Sequence, residues 1–86
     1  MNDKLFKIFS HFGLRKQLKK LSEECYELIE AMLDNDKEHI KEEIADVQVL
    51  LNQFKEYHEI YDDEIVDIME HKIDRTIERV KSGYYE

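Results

Sequence analysis

Apolar residues in this chain fall at steps of three and four rather than two, the period of amphipathic helices. Leu5, Ile8, Phe9 and Phe12 make a short first stripe, with Asn2 or Asp3 placed to cap it and Gly13 to end it. A second stripe, Leu14, Leu18, Leu21, Cys25, Leu28 and Met32, predicts a helix from about Leu14 to Asp34. Asp34-Asn35-Asp36 then breaks the pattern. Asn35 suits a left-handed turn and Asp36 a new N-cap. The third stripe is Ile40, Ile44, Val47, Leu51, Phe54 and His58. Tyr61-Asp62-Asp63 restarts the chain, and Ile65, Ile68, Met69, Ile73, Ile77 and Val80 mark a fourth helix that Gly83 closes. The connections are short, so consecutive helices are expected to run antiparallel. The predicted fold class is all-α: one domain spanning 1–86, an antiparallel bundle of about four helices in a compact array.

Composition narrows the picture. The 86 residues include no proline, two glycines and a single cysteine, which excludes a many-turned β fold and a disulfide framework. Cys25 lies on an apolar stripe and is expected in the core. Acids outnumber Lys plus Arg by 21 to 13, for a formal net charge of −8. Nucleic acid and anionic membrane surfaces are therefore disfavoured as partners. No apolar run is long enough to span a bilayer, and the N-terminus lacks signal-peptide architecture, so a cytoplasmic location is expected. Ile29, Leu33, Val49, Leu50 and Val66 lie off the main stripes. They are more apolar surface than one thin bundle hides, and completion by homo-oligomerisation, as a homodimer or homotetramer, is expected.

Folding the second and third stripes back on each other about Asn35 pairs Leu28 with Ile44, Cys25 with Val47 and Leu21 with Leu51. The same register sets Glu27 level with Glu43 and Glu24 level with Asp46. At 100° per residue each acidic pair lies on one flank of its stripe, and in an antiparallel hairpin those flanks face the same side. Four carboxylates thus converge beside a seam. Like charges so placed repel, and an oxygen-ligated cation, Mg²⁺ or Mn²⁺, would relieve them. A solvated acidic face is the competing reading, since charged residues make up 40% of the chain.

Other side chains extend the candidate site. Gln17, upstream on the flank of Glu24, could bond a substrate. Glu23 and Glu42 are spare carboxylates for handling a proton, with solvated surface as the alternative for both. Phe6, Phe9, Phe12, His11, Tyr57 and Tyr61 are candidates for core packing or for stacking on a ring. Lys72 falls inside the apolar arc of the fourth helix, with Arg75 and Arg79 beside it. It either snorkels to solvent or aims a cation at the acidic cluster or a bound phosphate. No Ser/His/Asp or Cys/His constellation is present, and no Glu has a His three residues on, which disfavours a di-iron bundle.

Gln17-x-x-Lys20-Leu21-x-Glu23-Glu24-x-x-Glu27-Leu28, followed by Glu42-Glu43-x-x-Asp46 and Lys72-x-x-Arg75, resembles the MazG-like nucleotide pyrophosphohydrolases. The family pattern is E-E-x-x-E, a spacer, then E-x-x-D, and the spacer here is 15 residues. The likeness runs from Phe12 to Val80. It implies an all-helical oligomeric enzyme that hydrolyses nucleoside triphosphates, often deoxy ones, to monophosphate and pyrophosphate. It implies Glu24, Glu27, Glu43 and Asp46 as Mg²⁺ ligands and Lys72 and Arg75 as phosphate contacts. Gln17 and Lys20, within the same motif, complete the candidate substrate-binding set. The chain departs from some relatives in carrying Asp74 near a place where they have Asn and in lacking tryptophan. Both departures bear on base preference. The competing function is a non-enzymatic acidic interaction module.

Overall fold

A computed structural model describes residues 2–86. All regular structure among them is helical: α1 spans Asp3–Phe12, α2 Leu14–Leu33, α3 Lys37–Tyr57 and α4 Asp62–Lys81. No helix of the described residues is long and apolar enough to cross a membrane.

Local chemistry sets the boundaries. Asn2 caps α1, its Oδ1 accepting from the Leu5 N–H at 2.9 Å. A single residue, Gly13, separates α1 from α2. Its φ of 83° and ψ of 164° turn the chain sharply, a conformation closed to residues with a Cβ. Asn35 takes the left-handed conformation at φ 54°, and Asp36 Oδ1 accepts from the His39 N–H at 3.3 Å. Glu59, at φ 56°, turns the chain out of α3. The Glu64 carboxylate then accepts from the Tyr61 N–H at 2.8 Å to start α4.

Helices α2 and α3 form the antiparallel hairpin, and α1 packs across both. The Phe9 and Tyr57 rings, centroids 4.9 Å apart, pin α1 to the end of α3. The N–H of Asn2 reaches Glu56 Oε2 at 2.9 Å.

Two expectations from the sequence fail within the single chain. The first is compactness. Among the described residues, α4 packs on none of the other helices, and the Lys55–Asp62 ion pair at 2.7 Å ties down only its first residue. The radius of gyration is 16.2 Å, against about 12 Å for a compact domain of this length. Ile68, Met69, Ile73, Ile77 and Val80 are all exposed.

The second failure is the position of the seam. The deeply buried residues of α2 are Gln17, Glu24 and Ala31, and those of α3 are Glu43, Leu50 and Gln53. Both sets lie roughly 80–90° around their helices from the apolar stripes, in the same rotational sense. The stripes grade outward from there. Leu14, Leu21, Leu28, Ile40, Val47 and Phe54 are half-buried, whereas Leu18, Cys25, Met32, Ile44 and Leu51 are exposed. Cys25 is thus a surface residue of the single chain. His58 is the C-cap of α3 and exposed. The hairpin closes on its acidic flank and leaves its apolar face open.

Candidate functional site

The rotated seam places carboxylates inside the hairpin. Glu24 and Glu43 are only 4% and 6% exposed. Each has one oxygen partnered from one turn earlier on its own helix. Lys20 Nζ lies 2.9 Å from Glu24 Oε1, and His39 Nε2 lies 3.2 Å from Glu43 Oε1. The other oxygens, Glu24 Oε2 and Glu43 Oε2, are buried with no hydrogen-bond partner. Two ionised carboxylates offer each other no donor, so only a shared proton or a cation satisfies that pair of oxygens.

Titration behaviour follows from this arrangement. Hydrogen bonding with Glu24, helped by burial and by the charge of Glu24, pushes the Glu43 carboxyl up to about 7. Glu24 is held below its ordinary range, first by that bond to Glu43 and then by Lys20. Asp46 is raised by burial and then by the charge of Glu24. Glu24 and Glu43 therefore titrate as a pair, with Glu43 the member that keeps its proton to higher pH.

Glu27, although exposed, completes the cluster: Glu24, Glu27 and Glu43 each offer an oxygen within 4.8 Å of the others. Asp46 borders the same group, close enough to respond to Glu24. Three of the four expected carboxylates thus form the tight set, with the fourth at its edge. The donor set is all oxygen, anionic and partly desolvated, which suits a hard divalent cation. The two orphaned buried oxygens are the specific sign that a cation fits.

A cavity of about 620 Å³ opens beside the cluster between α1, α2 and α3. Glu24 and Asp46 stand on its wall, Ile8, Phe12, Val49 and Leu50 give it apolar sides, and Lys16, Lys19 and Lys20 also border it. The sharp turn at Gly13 is what brings Phe12 of α1 over the hairpin. Gln17 is not surface: it is 5% exposed and its Nε2 donates to Gln53 Oε1 at 2.8 Å. Of the two spare carboxylates, Glu23 borders the cavity and Glu42 does not. Of the candidate rings, Phe12 borders it, whereas Phe6 and Tyr61 are exposed elsewhere.

Lys72 and Arg75 are not brought to the cluster within one chain, because they sit exposed on the undocked α4. Four residues at the cluster or its cavity were not legible in the sequence: His39, Gln53, Lys16 and Lys19. The signals were faint but present. His39 stands one turn before Glu43, and Gln53 stands seven residues after Asp46, where Gln17 stands seven before Glu24.

No curated protein and no solved structure matches this chain. A family model does, that of the MazG nucleotide pyrophosphohydrolase domain, over residues 12–82. That span holds α2, α3 and α4, the carboxylate cluster and most of the cavity wall. With most of its length so matched, and with the acidic cluster lodged in its α2–α3 hairpin, the chain belongs to the MazG nucleotide pyrophosphohydrolase domain family.

Proposed function

We propose that the protein is a Mg²⁺-dependent nucleoside triphosphate pyrophosphohydrolase that converts nucleoside triphosphates, deoxy forms included, to monophosphate and pyrophosphate. The observation that carries this reading is the pair of buried, unpartnered oxygens on Glu24 and Glu43, of which Glu24 stands at the wall of a cavity edged by lysines. A purely solvated acidic face would not bury two carboxylates against each other.

Glu24, Glu27, Glu43 and Asp46 would hold the cation, Mg²⁺ or Mn²⁺ as substitute. When bound, it supplies charge neutralisation at the phosphates and acidifies a water nucleophile. The chain's own residues do the rest. Lys20, paired with Glu24 at the cavity edge, would meet the phosphates, and Lys16 and Lys19 would add positive charge at the same rim. Glu23 stands on the cavity wall, placed to orient the attacking water and take its proton. Water adds to the α-phosphorus, the bond to the bridging oxygen breaks, and pyrophosphate leaves with that oxygen.

The same reading includes homo-oligomerisation. The open stripe of the hairpin and the unpartnered face of α4 are both apolar and both exposed, and a second copy that matches one to the other hides both. Docking of α4 is also how Lys72 and Arg75 would approach the phosphates.

The test is product analysis on a panel of nucleoside triphosphates with Mg²⁺. Monophosphate plus pyrophosphate is expected. Diphosphate nucleotide plus orthophosphate would refute the reaction. No turnover with either Mg²⁺ or Mn²⁺ on folded protein would return the chain to the interaction-module reading.

A further inference from the structure

The largest fully buried side chain among the described residues is polar. Gln53 is 1% exposed and Gln17, its partner, 5%, in a chain whose deeply buried apolar residues are Ala31 and Leu50. Burying primary amides is costly unless their groups are used. The bond from Gln17 Nε2 to Gln53 Oε1 uses one donor and one acceptor. It leaves the Gln17 carbonyl oxygen to accept and the Gln53 amino group to donate to another molecule.

We propose that this amide pair reads the hydrogen-bonding edge of the substrate's nucleobase, with Gln53 as the specificity-determining residue. The proposal rests on the pyrophosphohydrolase reading and deepens it. Both glutamines border the same cavity as Glu24 and Asp46. Gln17 stands two helical turns before Glu24 and Gln53 two turns after Asp46. In an antiparallel hairpin these offsets point the same way. The amide level therefore lies about 10.5 Å along the axis from the carboxylate level. That separation matches the reach from a base edge across the sugar to the α-phosphate. Between the two levels the walls are Ile8, Phe12, Val49 and Leu50, a lining suited to a flat ring.

A role confined to fixing the hairpin register accounts for less. Asn35 and Asp36 already set the hairpin turn, and a register pin has no need to face a cavity. The pair also has a property a single amide lacks. If both amides flip together, the mutual bond survives and the order of donor and acceptor reverses. The neighbours that fix the orientation thereby fix which base edge is accepted.

The experiment measures kcat/KM for pyrophosphate release from the four common deoxynucleoside triphosphates, with melting curves on every variant. The wild type is expected to spread its kcat/KM by roughly a hundredfold or more across the panel, as sites built on buried hydrogen bonds do. Gln53→Leu leaves Gln17 without its acceptor and risks the fold, so the paired change Gln17→Leu with Gln53→Leu removes both polar groups together. The double variant is expected to narrow the spread at least about tenfold by slowing the favoured base most. Gln53→Glu keeps the acceptor facing Gln17 and turns the free donor into an acceptor. It should move preference toward bases that present an amino group, and it reads the same ratio if neither leucine variant folds. An equal loss on all four bases, or an unchanged spread, would overturn the proposal in favour of a register pin. A wild type that hydrolyses all four alike overturns it too. Failure of the wild type to release pyrophosphate from any triphosphate defeats the parent reading first, and the proposal with it.

Discussion

The α2–α3 hairpin and α4 are built from the same materials and end in opposite states. Each helix is about 20 residues long, carries an apolar stripe and is flanked by charge. The hairpin buries polar groups: two glutamates and two glutamines lie in its seam. Helix α4 has no residue among the deeply buried. Its stability within one chain comes from local terms. Asp62, Asp63 and Glu64 lie at its N-terminal end and Arg79 and Lys81 at its C-terminal end, both favourable to the helix dipole. Such terms alone leave an isolated helix of this length marginal in water. The comparison teaches that the apolar patterning of the single chain faces largely outward, while most of its deepest positions are polar.

The comparison can be broken most severely at the seam. Glu24→Gln and Glu43→Gln are each expected to lower kcat/KM at least about a thousandfold, roughly 4 kcal/mol of transition-state stabilisation. Glu43→Gln should meanwhile raise the melting temperature of the metal-free protein at pH 8, because it removes a buried charge that Glu24 repels. Steady-state kinetics and thermal melts on the same samples check both halves.

At α4 the expected damage is to assembly. Ile73→Asp with Ile77→Asp puts two charges on the apolar face. It should convert the proposed oligomer to single chains in sedimentation and lower the helix signal in circular dichroism, as α4 frays without a partner. Unchanged sedimentation would show that α4 is not the interface.

Lys72→Ala lies between the two regions. If α4 delivers its ammonium to the phosphates, the loss is about tenfold in kcat/KM, or about 1.4 kcal/mol. Melting should be unchanged or slightly improved, since a lysine on an apolar arc does not assist packing.

The smallest effect is on pH. Glu43 is raised in the fold from 4.5 to about 7, so between those values the folded state holds a proton that the unfolded state has lost. Metal-free stability should therefore fall as pH rises from about 4.5 to about 7 and level off above. Asp46, also raised, acts in the same sense from 3.8 upward. Glu24, lowered, acts oppositely but below its unfolded value of 4.5, where its contribution is lost as pH falls. Urea melts across pH 4 to 8, a range that brackets these values, measure the slope.

The sequence was legible where the physics is local. Caps at Asn2 and Asp36, the left-handed Asn35 and the helix-ending Gly13 follow from the preferences of single residues. Register was legible too: the offset that levels Glu24 with Asp46 also pairs Gln17 with Gln53, which the structure bonds at 2.8 Å. The seam was not legible, because apolar periodicity marks apolar faces, and the deepest positions of this hairpin are mostly polar. Read as one bundle, the stripes put Cys25 in a core and Glu24 beside it, whereas the single chain reverses the two. Gln53 and His39 were hidden for a related reason. A lone polar residue on a helix flank looks like surface until its partner on the facing helix is known.

The central claim is that the buried carboxylates of the hairpin form a divalent-cation site, and calorimetric titration of Mg²⁺ into metal-free protein tests it most directly. At pH 8, saturable binding is predicted, lost in Glu43→Gln and weakened at pH 5, where Glu43 holds its proton. At free Mg²⁺ a hundred times Kd the same binding should stabilise the wild type by about 2.7 kcal/mol. Absence of saturable binding at pH 8, or equal binding by wild type and Glu43→Gln, would contradict the account.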